Sequence, residues 1–172
     1  MTKIIVMTDI HITSENTDII GLNPLSRFHD VFKSALTDHP DAAYMILMGD
    51  LAHHGESDQY LRLQHVLSDS PVPVIPMLGN HDIRARFREV FLDAPSDDSG
   101  FVQHIIDLPH HRVITVDTKD GPFGHHAGRL CPARMTWLET ALDGAQGRIP
   151  LVFTHHPPFE TGIVGMDAIN LE

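Results

Sequence analysis

Four short apolar runs in this chain each stop abruptly at an acid, an amide or an imidazole. Residues 3–8 run into Asp9-Ile10-His11, residues 43–48 into Gly49-Asp50, residues 73–78 into Gly79-Asn80-His81-Asp82, and residues 149–154 into His155-His156-Pro157-Pro158. A short apolar run that ends abruptly, rich in β-branched residues as 3–8 is, reads as a buried strand. Between the runs, apolar residues recur at helical spacing. Residues 26–37 carry Phe28, Val31, Phe32 and Ala35, residues 57–68 carry Tyr60, Leu61, Leu63 and Leu67, and residues 132–142 present Trp137, Leu138 and Leu142 as a core face. A weaker helix is expected over 83–92, with its three arginines on an exposed face, and further strands over 101–107 and 111–117, tightly joined at Leu108-Pro109-His110. Strands alternating with helices predict an α/β layered sandwich. In open α/β sheets ligands gather at the carboxyl ends of strands, so the four polar stops are expected to converge.

Composition narrows what such a convergence can serve. At 172 residues and 42% hydrophobic, the chain suits a single domain spanning residues 1–172. Cys131 is the one cysteine, which excludes an internal disulfide and a thiolate metal cluster and agrees with a reducing cytoplasm. The first apolar run reaches an acid at Asp9, too soon for a signal peptide, and no membrane-spanning segment is expected. A net charge of -11 with only 12 Lys and Arg argues against a nucleic-acid polymer as partner. A small anion is acceptable where bound cations reverse the charge locally. Fourteen histidines point the same way, because neutral imidazole is the commonest metal ligand.

Each polar stop also has a plain explanation. Asp9-Ile10-His11 reads as a solvated loop, Gly49-Asp50 as a turn, and His155-His156 as exposed histidines before a proline stop. Gly79 and Asn80 tolerate left-handed backbone and so suit a turn, and Asp82 suits an N-cap for a helix from Ile83. Their order and shared placement after strands are what the plain readings leave unexplained. Taken together, Asp-x-His, Gly-Asp, Gly-Asn-His-Asp and His-His-Pro-Pro resemble the calcineurin-like metallophosphoesterase family over nearly the whole chain. The stretches LMGDLAHHGESDQY, GRLCPARMTWLETAL and HHPPFETGIVGMDAINLE are similar to its branch of class III cyclic-nucleotide phosphodiesterases and glycerophosphodiesterases.

That resemblance implies a four-layer αββα sandwich holding two divalent metal ions, Mn, Fe, Co or Zn, at the sheet ends. Asp9 and His11 would bind the first ion, Asp50 would bridge both, and Asn80 and His155 would bind the second. Two cations about 3.5–4 Å apart need one bridging carboxylate and can activate a shared hydroxide. The Asn80 amide ligates without adding charge, and mixed carboxylate, imidazole and amide donors argue against soft copper or all-oxygen calcium sites. His81 would face the substrate and protonate the leaving alkoxide, with Asp82 steering it through the other ring nitrogen. Asn80, His81 and His156 would contact the substrate. The implied reaction is hydrolysis of 3',5'-cyclic nucleotides or small glycerol-type phosphodiesters by a homo-oligomer. A non-catalytic metal- or nucleotide-binding module and a phosphomonoesterase of the same superfamily are the alternatives.

One departure stands out. The family's last motif, Gly-His-x-His, supplies an imidazole to each ion, and no such motif follows His155. Gly124-His125-His126 precedes His155 and reads as an exposed loop. The domain is therefore expected to be truncated before that motif, with its C-terminal part missing, each ion short of one ligand and apolar surface uncovered.

Overall fold

The structure, a computed structural model, describes residues 2–172. Strands β1 (Ile4–Met7), β2 (Tyr44–Met48) and β3 (Val74–Met77) form a parallel sheet in the order β1-β2-β3. Helices α1 (Pro24–Asp38), α2 (Ser57–Leu67) and α3 (Arg84–Val90) connect or follow these strands. The start of α1 is fixed by Pro24, whose missing N–H costs nothing there, and by the Asn23 side chain, which accepts from the Ser26 amide at 3.0 Å. A second sheet takes the order β4-β5-β6, where β4 (His104–Asp107) pairs antiparallel with β5 (His111–Thr115) and β5 pairs parallel with β6 (Ile149–Phe153). Helix α4 (Pro132–Asp143) precedes β6, and the short α5 (Val164–Asp167) follows it.

Alternation along the strands builds the layers, because successive side chains point to opposite faces. On β2, Met45 and Leu47 pack with Phe28, Phe32, Tyr60, Leu63 and Phe87 from the three helices. Ile46 faces the other way and joins Ile75 and Met77 against Ile106, Val113, Leu151 and Phe153 of the second sheet. Beyond that sheet, Ile114 and Val116 pack on Ala141, Trp137 and Leu138 of α4. Helices, sheet, sheet and helix are the four-layer αββα sandwich. Among the described residues no helix is long and apolar enough to cross a membrane.

Several local expectations change. Arg84 does not lie on an exposed face; its guanidinium turns inward and grips the fully buried Asp117 through Nε at 2.6 Å and Nη2 at 2.8 Å. Asp117 also accepts from the Val102 and Lys119 amides, which draws residues 101–103 out of strand geometry so that β4 begins at His104. On α4 the buried residues are Arg134 and Ala141, while Leu142 is partly exposed. Arg134 displaces leucine from the core because its guanidinium donates to the carbonyls of Asp117 at 2.9 Å and Lys119 at 3.0 Å. Phe101 lies against both guanidiniums, with centroid distances of 5.2 Å to Arg84 and 4.6 Å to Arg134.

Candidate metal centre

The loops leaving β1 and β2 are zipped together before any side chain is considered. Backbone amides of Asp9, His11 and Ile12 donate to the carbonyls of Gly49, Asp50 and Leu51. This pairing holds Asp9, His11 and Asp50 at φ of 56°, 49° and 50°, the left-handed region that non-glycine residues seldom enter. Backbone strain of this kind costs of order 1–3 kcal/mol per residue and clusters where a side chain must be aimed. The two motif glycines answer to space. A Cβ on Gly49 would sit 2.5 Å from His155 Nδ1, and one on Gly79 would collide with the backbone nitrogen and carboxylate of Asp50. Gly79 is not left-handed. The expected turn is present, with the Asp82 amide donating to the Gly79 carbonyl at 3.3 Å, but what requires glycine at position 79 is close approach, because Asp50 occupies the room a side chain would take.

The Asp50 carboxylate, only 5% exposed, divides its oxygens between two groups. Oδ2 lies 3.5 Å from His11 Nε2, which is in turn 3.8 Å from Asp9 Oδ1. Oδ1 lies 3.4 Å from His155 Nε2, which is 3.1 Å from Asn80 Oδ1. The His81 backbone amide donates to the same Oδ1 at 2.9 Å and fixes the carboxylate plane. Hydrogen bonds on the far ring nitrogens settle the tautomers. His155 Nδ1 donates to the Met48 carbonyl at 2.8 Å, so in the neutral ring Nε2 carries a lone pair toward Asp50 and Asn80. Lone pairs converging at 3.1–3.4 Å with no proton between them repel unless a cation lies among them, so these donors fit one. His11 is placed in a similar way, with Nδ1 3.4 Å from His53 Nδ1 and Nε2 facing the two carboxylates. Asp9, His11 and Asp50 together could hold a metal ion, and so could the imidazoles of His11, His53 and His81. Burial lowers the pKa of His11 against the opposing pull of Asp50, which favours the neutral, ligating ring.

His81 Nδ1 donates to the His53 carbonyl at 2.8 Å, leaving Nε2 as the free nitrogen of a ring that lines the central cavity. That cavity, of about 330 Å³, is bounded by Asp9, His11, Asp50, Asn80, His81 and His155 with His126, Pro157, Met166 and Ile169. A larger cavity of about 400 Å³ lies between α1 and α2, lined by Phe32, Leu36 and Val66 and also by His29, His65 and Asp69, which are not among the described groups close enough to hold a metal ion.

Two expectations are corrected. Asp82 neither touches the His81 ring nor caps α3, whose N-cap is Ile83. It is fully buried and accepts from the amides of Gly79 at 2.8 Å, Ala52 at 3.1 Å and Leu51 at 3.2 Å and from the Tyr60 hydroxyl at 3.0 Å. Three amides from two loops and the Tyr60 hydroxyl fill the roughly four lone-pair sites of the carboxylate and leave none for an imidazole, so Asp82 ties the Asp50 loop to the Asn80 loop. Burial outweighs those donors and pushes its pKa up to about 6. His156 is neither solvated nor part of the cavity wall. It is fully buried with Nδ1 2.7 Å from Thr118 Oγ1, and burial together with His155 lowers its pKa to about 3. Reading the sequence also missed His126, which the loop expectation set aside. Its Nδ1 lies 2.9 Å from Asn80 Nδ2. The one signal was a His-His pair whose spacing to Asn80 is purely tertiary.

The comparisons with known proteins agree with this geometry. The model of the calcineurin-like phosphoesterase family matches residues 2–169. A probable cyclic nucleotide phosphodiesterase of Rhodopseudomonas palustris is 42% identical over 98% of the chain and 62% of that protein. The glycerophosphodiester phosphodiesterase GpdQ of Enterobacter lignolyticus is 29% identical over 96% of the chain and 60% of its own length. The 3',5'-cyclic adenosine monophosphate phosphodiesterase CpdA of Haemophilus influenzae is 25% identical over 98% and 60%. The chain thus spans about three fifths of the length of these relatives. With the αββα layers, the converging donors and the family match in agreement, the chain belongs to the calcineurin-like phosphoesterase family.

Proposed function

We propose that this chain is the metal-binding and catalytic part of a phosphodiesterase acting on 3',5'-cyclic nucleotides or small glycerol-type phosphodiesters. The observation that carries the reading is the Asp50 carboxylate, which gives one oxygen to the Asp9–His11 group and the other to the Asn80–His155 group beside the cavity that His81 lines. Asp9, His11 and Asp50 would hold one divalent cation, and Asp50, Asn80 and His155 a second, of the Mn, Fe, Co or Zn class. When bound, such a pair supplies a water acidic enough to attack phosphorus and offsets the charge of the phosphoryl oxygens. His81 keeps its Nδ1 proton on the His53 carbonyl and, as imidazolium, passes the Nε2 proton to the departing alkoxide. Asn80 would ligate through a neutral oxygen, and the Met48 carbonyl aims His155.

Exposed apolar side chains at Phe159, Ile163 and Val164 support a homo-oligomer, and the lone Cys131 supports a cytoplasmic setting. The test is hydrolysis of an activated aryl phosphodiester and of a 3',5'-cyclic nucleotide by purified chain with added Mn²⁺, beside an Asp50→Ala control. Turnover in the native chain that the control lacks is the expected result. Equal rates in both, or none in either, would sink the proposal.

A further inference from the structure

We propose that His126 sets the orientation of the Asn80 amide and thereby the affinity of the second cation position; the inference rests on the two-cation reading above. An asparagine side chain has two nearly isosteric ends, of which only the carbonyl oxygen can ligate. A flipped amide would turn its NH₂ group toward the cation, so something must distinguish the ends. Asn80 is 6% exposed and makes one polar contact on each side. Oδ1 faces His155 Nε2 at 3.1 Å, and Nδ2 faces His126 Nδ1 at 2.9 Å. A neutral imidazole accepting at Nδ1 can be satisfied only by the NH₂ end. Opposed to the His155 lone pair and its cation, it selects one amide rotamer and disfavours the other. His126 Nδ1 faces the NH₂ end of Asn80 and not its oxygen, so the ring acts on the ligand.

The loop that presents His126 is anchored in the fold. Lys119 is buried, and its ammonium donates to the carbonyls of Asp120 at 3.0 Å, Pro122 at 3.3 Å and His125 at 3.4 Å. The last of these is the residue next to His126. At the loop's other end Gly128 bridges to Lys119 and lies against the buried His156 ring, where a Cβ would collide. Arg134 holds the Lys119 carbonyl from beneath at 3.0 Å. An exposed histidine on a loop so tied is delivered to one place, and that place is the Asn80 amide.

The experiment is titration of the metal-free chain with Mn²⁺ alone, followed by calorimetry and by the electron paramagnetic resonance of free ion. The native chain is expected to show two binding steps. His126→Ala should weaken the second by about 10–100-fold, the usual loss when a ligand's supporting partner is removed, and leave the first unchanged. His126→Asn places an acceptor oxygen where Nδ1 stood and should recover most of that loss, which a general loosening of the loop would not permit. Lys119→Met should weaken the second step alone. Two native steps with the second unaltered in His126→Ala would overturn the assignment, as would His126→Asn behaving like His126→Ala. A single step in the native chain would overturn the two-cation reading and this inference with it.

Discussion

Asp82 and Asp117 are both fully buried and both hold loops at the end of a sheet, yet the fold compensates them in different ways. Asp82, under the first sheet, is met by three amides and the Tyr60 hydroxyl and by no cationic side chain. Asp117, at the end of the second sheet, is met by the Arg84 guanidinium, with Arg134 a further 3.9 Å away. The difference follows distance from the candidate metal centre. A guanidinium beside Asn80 and Asp50 would repel the cations those residues are arranged to hold, at an energy that grows as water is excluded. Dipoles hold Asp82 without adding positive charge. Where no cation is to be bound, arginine does the same task more strongly.

The sharpest break of this comparison is substitution of each acid. Asp117→Ala leaves Arg84 without its buried partner and should cost about 3–5 kcal/mol, the scale for removing one member of a buried ion pair. Asp82→Asn keeps the shape but turns an NH₂ group toward amide donors. Leaving one or two of them unpaired costs about 1–3 kcal/mol each, while the unfavourable burial of charge is relieved, so the net loss should be the smaller. Urea denaturation of the metal-free chains measures both. The reverse order would mean that Asp82 carries more of the structure than its dipolar partners imply.

The two nodes also leave opposite marks on pH dependence. Asp82 titrates at about 6 in the folded chain against about 4 unfolded, so it binds more protons when folded and stability falls as pH rises between those values. His156, held under the second sheet by Thr118, titrates at about 3 against about 6.5 unfolded. It binds fewer protons when folded, so its contribution is full above about 6.5 and is lost as pH falls toward 3. Between about pH 4 and 6 the two slopes oppose each other at about 1.4 kcal/mol per unit. In Asp82→Asn only the His156 slope remains. The variant's stability should therefore rise with pH more steeply than the native chain's, by about that amount per unit, in urea midpoints measured without metal. Parallel slopes in the two chains would show that Asp82 is ionised across this range.

The strand ends were legible because strands and their polar stops are local patterns. Residues 43–48 and 149–154 contain β2 and β6 within a residue, and the layers follow from alternation. Supporting contacts were not legible, because each depends on a partner far along the chain. Asp82 lies 22 residues from Tyr60 and 30 from Ala52, and Asn80 lies 46 from His126. A sequence shows that an acid follows Gly-Asn-His, but not whether it turns toward the histidine or under the loop. Arg84 was misread, and Arg134 passed over, for a related reason. Helical periodicity assigns arginine to the outer face, and only the buried Asp117 reverses that assignment.

The smallest expected effect separates the two faces of the second sheet. Val113 on β5 faces the first sheet and is 1% exposed, whereas Val152 on β6 faces outward and is 43% exposed. Threonine matches valine in shape but brings a hydroxyl. At Val113 that hydroxyl would be buried among apolar neighbours at a cost of about 1–3 kcal/mol. At Val152 it would meet water, and the change should stay within about 0.5 kcal/mol. Thermal and urea midpoints of Val113→Thr and Val152→Thr, taken over a hundredfold range of protein concentration, read the contrast directly. A Val152→Thr penalty near that of Val113→Thr, growing with protein concentration, would mean that a second copy covers the outer face of β6. A small, concentration-independent change would leave that face open to water and the apolar side chains of the sandwich confined to its three inner layers of contact.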